Sequence, residues 1–152
     1  MTSTLSVSAI KNGTVIDHIA SGQGLRIIHL LSLQNSQLQI TIGLRLPSKL
    51  IGMKDLIKIE DRILTDEEAN EIVVFAADAT INIIDNFTVV KKISTHLPSE
   101  MKNVFICPNP SCITQSEFIE SRFSIEQQLK SIKLACHFCE KVFERDQVEV
   151  RI

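Results

Sequence analysis

Four cysteines constrain this chain more than any other feature. They are absent from the first hundred residues and then fall as two close pairs, Cys107 with Cys112 and Cys136 with Cys139. Two tight turns that each present two thiols, brought together from separate places in the chain, suit a tetrahedral metal, above all Zn2+. Pro108, Asn109 and Pro110 supply turn residues inside the first pair. The expectation is one structural zinc held by Cys107, Cys112, Cys136 and Cys139. Two disulfides or four free thiols are the plain alternatives. Disulfides do not persist in a reducing compartment. A redox Cys-x-x-Cys needs one pair only, opening a helix in a βαβ unit. A catalytic zinc needs an open coordination position, which four thiolates do not leave. His137 lies inside the second pair and reads as a turn residue, because the shell is already full.

The segment that carries these cysteines is short. Ser94 to Glu100 is polar and contains Pro98, so it reads as a linker. A boundary there gives domains over residues 1–98 and 99–152. Strand signals in the second domain fall at Val104–Ile106, Phe118–Phe123, Ile132–Leu134 and Val148–Val150. A lobe of this size seldom holds itself together without a staple. A structural zinc supplies about 10–16 kcal/mol at neutral pH.

The first domain alternates strand and helix signals. Leu5–Ile10 has apolar residues at every second position, and Thr14–Ile19 is a second extended run. After Gly22 and Gly24, Leu25, Ile27, Ile28, Leu30 and Leu31 recur at helical spacing. Leu38, Ile40, Ile42 and Leu44 alternate as a strand, and Leu56–Glu60 forms another. Thr65 and Glu68 make a capping box that starts a second helix ending near Ala77. Thr80–Ile84 and Phe87–Ile93 close the domain as strands. The fold class is α+β: an N-terminal ferredoxin-like βαββαβ sandwich with one extra strand, followed by a small all-β, zinc-ribbon-like domain. The sheet is expected to be mixed, with both helices on one face.

Composition narrows the function classes. Net charge is -2 overall, and residues 101–152 hold seven Lys/Arg against seven Asp/Glu. Phosphate neutralisation along a nucleic acid needs a surplus of cations. A zinc-ribbon nucleic-acid-binding protein therefore stands as the alternative reading, not the leading one. No apolar run approaches the roughly 18 residues of a membrane span. The start MTSTLSVSAI lacks a basic region followed by an apolar core. A cytoplasmic chain without membrane contact is expected. No Gly-rich nucleotide loop and no nucleophile elbow is present. The glycines of Ser21–Gly24 can favour an anion ahead of a helix, though such glycines more often only shape a loop.

Several polar residues interrupt apolar strands. Lys58 lies between Ile57 and Ile59, Asn82 between Ile81 and Ile83, and both point away from those neighbours. A sheet covered on one face is ordinarily polar on the other. Yet Lys58, Lys92 and His18 are cationic donors suited to phosphates, and Asp17 can accept from ribose hydroxyls.

The stretches Ala9–Ile19, Ile40–Leu44, Lys54–Glu60, Ala79–Asn82, Ile84–Asn86, Val104–Asn109 and Cys136–Glu140 together resemble the regulatory chains of aspartate carbamoyltransferase. They occur in that family's order and spacing from about residue 5 to 150. The resemblance implies a non-catalytic subunit. Its first domain would bind nucleotide effectors, with CTP inhibiting, UTP reinforcing CTP, and ATP activating. Its second would hold zinc and dock on the catalytic chain, in an assembly of two catalytic trimers and three regulatory homodimers. By motif, Asp17 and Lys58 match residues at the ribose and base. His18, Asn82 and Lys92 match those facing the triphosphate. Ala9, Ile10, Val15, Ile84, Phe87 and Val89 match the wall around the base, read by backbone groups of Ile10 and of the 84–87 turn. The four cysteines match the zinc ligands. Three places depart from the familiar pattern: Phe87 stands where a Tyr is usual, Met1–Thr4 match poorly, and Glu126–Gln128 replaces a more basic stretch.

Overall fold

Alternation of β-branched and polar residues builds the first strand, β1 (Gly13–Ala20). A computed structural model describes residues 9–152, so Met1–Thr4 and most of the expected strand Leu5–Ile10 lie outside the described residues. After β1 come α1 (Gly24–Leu30), β2 (Ile40–Ser48), β3 (Gly52–Glu60), α2 (Asp66–Phe75), β4 (Thr80–Asp85) and β5 (Thr88–Ile93). The capping box at α2 forms as its sequence demands. Glu68 N–H donates to Thr65 Oγ1 at 3.1 Å, and Thr65 N–H donates to Glu68 Oε1 at 3.0 Å. The helix stops at Phe75, two residues short of the expected end.

The strands form one sheet in the order β2-β3-β1-β4-β5. This is the βαββαβ sandwich with an added edge strand, β5. Every pairing in it is antiparallel, which corrects the expected mixed sheet. The parallel strands β1 and β2 never touch, because β3 sits between them. Ile16, Ile57, Ile59, Ile81 and Ile83 face the helices and are buried with Ile27, Ile28, Ile72, Val74 and Phe75 in one cluster. Each such side chain contributes about 1.5–3 kcal/mol of burial. The other face of the sheet has no helix over it among the described residues.

The second lobe holds β6 (Glu100–Lys102), β7 (Phe105–Ile106), α3 (Ile113–Ser116), β8 (Arg122–Gln128), β9 (Ser131–Cys136), β10 (Val142–Glu144) and β11 (Glu149–Val150). Its main sheet runs β10-β9-β8-β6, and β11 pairs with β7. The strand expected over Phe118–Phe123 is displaced: pairing begins at Arg122 and continues through Gln128. Phe123 and Ile125 alternate inward while Ser124 and Glu126 face out, whereas Phe118 is fully exposed in the loop after α3.

The lobes share a core. Phe105 packs against Phe75 of α2 at 5.8 Å between ring centroids and against Phe123 of β8 at 5.6 Å. Two arginines close the seam. The Arg145 guanidinium donates to the carbonyls of Val74 and Phe75 at 3.0 and 3.3 Å, satisfying the C-terminal end of α2. Arg26 of α1 donates to the carbonyls of Arg145 and Asp146 at 3.1 and 3.0 Å.

Candidate functional site

The cysteine cluster is built from strand ends and turns. Cys107 follows β7, Cys112 caps α3, Cys136 ends β9, and Cys139 lies in the turn before β10. All four sulfurs lie within 4.8 Å of one another. Cys107 and Cys139 are 3.7 Å apart at Sγ, and Cys112 and Cys136 are 3.8 Å apart. A tetrahedral ion at about 2.3 Å from each sulfur requires S···S separations of about 3.8 Å. A disulfide requires about 2.0 Å. The spacing therefore fits a shared metal and not paired disulfides. Three of the cysteines are buried and Cys139 is half-buried. Burial pushes the Cys107 and Cys136 thiols up, against amide donors that pull the other way. At Cys139 burial is outweighed by the Asn109 side chain and the Lys141 amide, which bring the thiol down to about 7. His137 is exposed, with its ring against Phe138, and takes no part in the cluster.

The second constellation lies on the uncovered face of the first sheet. Register partners share a face. Lys58 of β3 opposes Val15 of β1, Val15 opposes Asn82 of β4, and Asn82 opposes Lys92 of β5. Thr41 of β2 extends the row beyond Lys58. Four of the sequence-predicted residues thus stand abreast across four strands. Asp17 lies two residues along β1 from Val15 and so shares its face.

His18 reaches this face by a distortion. Strict alternation would send it opposite to Asp17. Between Ile16 and Ile19 the pairing of β1 with β3 slips by one residue, and His18 takes φ 56°. This bulge sets His18 Nδ1 3.1 Å from the hydroxyl of Thr80, the register partner of Asp17. The His18 N–H donates to Asp17 Oδ1 at 2.7 Å.

The Asp17 carboxylate also pairs with Lys54 Nζ at 2.8 Å. Partial burial opposes its ionisation, but Lys54 and the His18 amide hold its pKa below the usual carboxylate value. Lys58 is drawn down by burial, Asp17 counters that, and Lys54 adds to it. One carboxylate is thus flanked by three cationic or potentially cationic side chains. Period two places Lys54 on the same side of β3 as Lys58, but no local pattern marks it as the partner of Asp17.

The apolar group gathers at one end of the row. Ile84 opposes both Gly13 and Val89. Val89 and Phe87 are exposed, while the side chain of Ile10 is buried and Ala9 is exposed. Asn86 and Phe87 have φ 50° and 66°, the signature of a type I′ hairpin turn. An aromatic residue in that region costs on the order of 1–3 kcal/mol. Two bonds hold it there: Phe87 N–H to the Lys11 carbonyl at 2.9 Å, and Asn86 N–H to Asn12 Oδ1 at 3.0 Å.

The glycines before α1 do not await an anion. The N–H groups of Gly22 and Gly24 already donate to Asp55 Oδ2 at 3.1 and 2.9 Å. Asp55 is buried, and its other oxygen accepts the Arg45 N–H at 2.9 Å. No alternation or motif in the sequence marks Asp55 for this duty.

Known proteins share both regions. Residues 5–96 match the model of the aspartate carbamoyltransferase regulatory chain, allosteric domain. Residues 99–149 match that of the same chain's metal binding domain. The aspartate carbamoyltransferase regulatory chain of Vibrio cholerae is 47% identical over 144 residues, spanning 95% of this chain and 93% of its own. That of Chromobacterium violaceum is 48% identical over 149 residues, spanning 97% and 98%. That of Tolumonas auensis is 47% identical over 144 residues, spanning 95% and 94%. With both of its lobes matched in order and nearly half its residues shared with these relatives, the chain belongs to the family of aspartate carbamoyltransferase regulatory chains.

Proposed function

We propose that residues 1–98 sense nucleoside triphosphates on the uncovered sheet face, and that residues 99–152 hold one structural zinc and dock on the catalytic chain. The observation that carries the first half is the row Lys58–Val15–Asn82–Lys92, with Asp17 and His18 beside it. A triphosphate needs cations and polar donors, which Lys92, Asn82 and His18 supply. Asp17 and Lys58 suit ribose hydroxyls and the base. At the far end, the N–H groups of Asn86 and Phe87 are engaged within the chain, so a base edge there meets backbone carbonyls. Cytosine and adenine both offer an exocyclic amine to such acceptors. CTP as inhibitor, ATP as activator and UTP as partner of CTP follow from the family reading.

The zinc half rests on the four sulfurs. Cys107, Cys112, Cys136 and Cys139 would hold the ion, which supplies folding energy and no open coordination position. The chain acts on its enzyme only through differential binding. A nucleotide shifts the holoenzyme by binding its two quaternary states unequally, with a coupling of about 1–3 kcal/mol. Edge strand β2, with Ile42 and Leu44 exposed, suits pairing with a second regulatory chain, and the dodecamer of two trimers and three dimers suits such a dimer. A cytoplasmic setting accords with reduced thiols. The nucleic-acid alternative has no comparable feature in its favour, since residues 101–152 carry no surplus of cations over anions.

Calorimetry with CTP tests the site. Lys58→Ala and Lys92→Ala should each weaken binding while zinc per chain stays at one. Unaltered CTP affinity in both variants contradicts the assignment.

A further inference from the structure

The structure assigns Asn109 and Thr114 a part in the metal centre that neither plays as a ligand: they neutralise the thiolate shell and so set how long the metal stays. The inference rests on the zinc reading above. Four thiolates around one divalent ion leave two net negative charges in a mostly buried pocket, and each hydrogen bond to sulfur offsets part of that charge.

Asn109 is only 9% exposed and touches three of the four cysteines. Its backbone N–H donates to the Cys107 sulfur. Its carbonyl accepts the Cys112 N–H at 3.0 Å. Its side-chain amide donates to the Cys139 sulfur. Asn109 Oδ1 accepts the Ser111 N–H at 3.0 Å, which fixes the amide with its NH2 toward Cys139. Thr114 Oγ1 lies 3.1 Å from the Cys112 sulfur. Against a thiolate the hydroxyl must be the donor. Cys136 and Cys139 also receive backbone amides, from Phe138 and Cys139 and from Lys141 respectively. At Cys112 a side-chain hydroxyl is a donor, and a single substitution can remove it without altering the backbone.

The test uses the full-length chain loaded with Zn2+, and in parallel with Co2+. Transfer of zinc to an excess of a chromophoric chelator gives the release rate. The sulfur-to-cobalt charge-transfer band reports electron density on the thiolates. Asn109→Ala and Thr114→Val should each release zinc about 10–100-fold faster, the range for such outer hydrogen-bond partners. Both should move the cobalt band to lower energy, since an unsolvated thiolate gives up its electron more readily. Thr114→Ser keeps the donor and should match the parent in rate and band. A Thr114→Val variant that retains one metal per chain with unchanged rate and band overturns the inference while leaving the zinc reading intact. A parent chain that holds no metal with its four thiols reduced overturns both.

Discussion

Replacing Asp55 tests the claim that one buried carboxylate ties together three backbone amides from two separate turns. Asp55 joins the loop before α1, through Gly22 and Gly24, to the β2 bulge, where Arg45 sits at φ 54°. In Asp55→Ala three amides lose an ionised acceptor. The Gly24 amide is buried, so its loss costs the full desolvation penalty, about 1–3 kcal/mol. Gly22 and Arg45 are exposed residues whose amides water can reach, so each costs about 0.5–1.5 kcal/mol, the net worth of an ordinary hydrogen bond. The total expected is about 2–6 kcal/mol, a range that includes the cost of removing one partner from a buried charged network. Asp55→Asn has a milder effect. Its single oxygen can serve Gly22 and Gly24, but its NH2 then faces the Arg45 N–H, for a cost of about 1–3 kcal/mol. The chain has no Trp or Tyr, so urea unfolding is best followed by far-ultraviolet circular dichroism. Protein concentration must be fixed and zinc saturating, because bound partners and metal add to stability. A loss below about 1 kcal/mol in Asp55→Ala, or an Asn variant worse than the Ala variant, refutes the reasoning.

Three further outcomes are expected. Phe105→Ala removes the ring between Phe75 and Phe123 and should cost about 3–5 kcal/mol in the same assay, whereas a surface residue would cost under 0.5 kcal/mol or so. Glu71 has its pKa raised above the ordinary 4.5, first by burial and then by Glu68 and Glu67. The folded state therefore holds this proton more tightly than the unfolded one, so stability is lost as pH rises from 4.5 through the folded value. Glu71→Gln should stabilise at neutral pH by about 0.2–0.5 kcal/mol for each like-charge pair removed, with the gain vanishing in acid; a gain that grows below pH 4.5 contradicts this. Chelation should unfold the second lobe, seen as loss of amide-exchange protection over β8 and β9, and full protection in a metal-free chain opposes a structural role for zinc.

What the sequence disclosed and what it hid divide along a physical line. The Thr65–Glu68 cap was legible because its partners lie three residues apart. The cysteine cluster was legible because thiol spacing is itself a coordination pattern. Alternation placed Lys58 and Asn82 on the face away from their isoleucine neighbours, and the register puts both there. Alternation says nothing about slips in register, however. The bulge that turns His18 beside Asp17 depends on how β1 pairs with a strand some forty residues later, and no local pattern encodes that. The same holds for Asp55, whose three amides come from two distant loops, and for Lys54, whose importance follows from the place of Asp17. Phe118 misled for the converse reason. An apolar residue ahead of a strand reads as part of it, and only the pairing of Arg122 with Lys102 shows where the strand begins. Residues whose duties are local can thus be read one at a time, while those that shape the uncovered sheet face acquire their duties from tertiary pairing. Substitutions at Asp55 or around the His18 bulge should therefore disturb the first lobe in ways that residue type alone would not foretell.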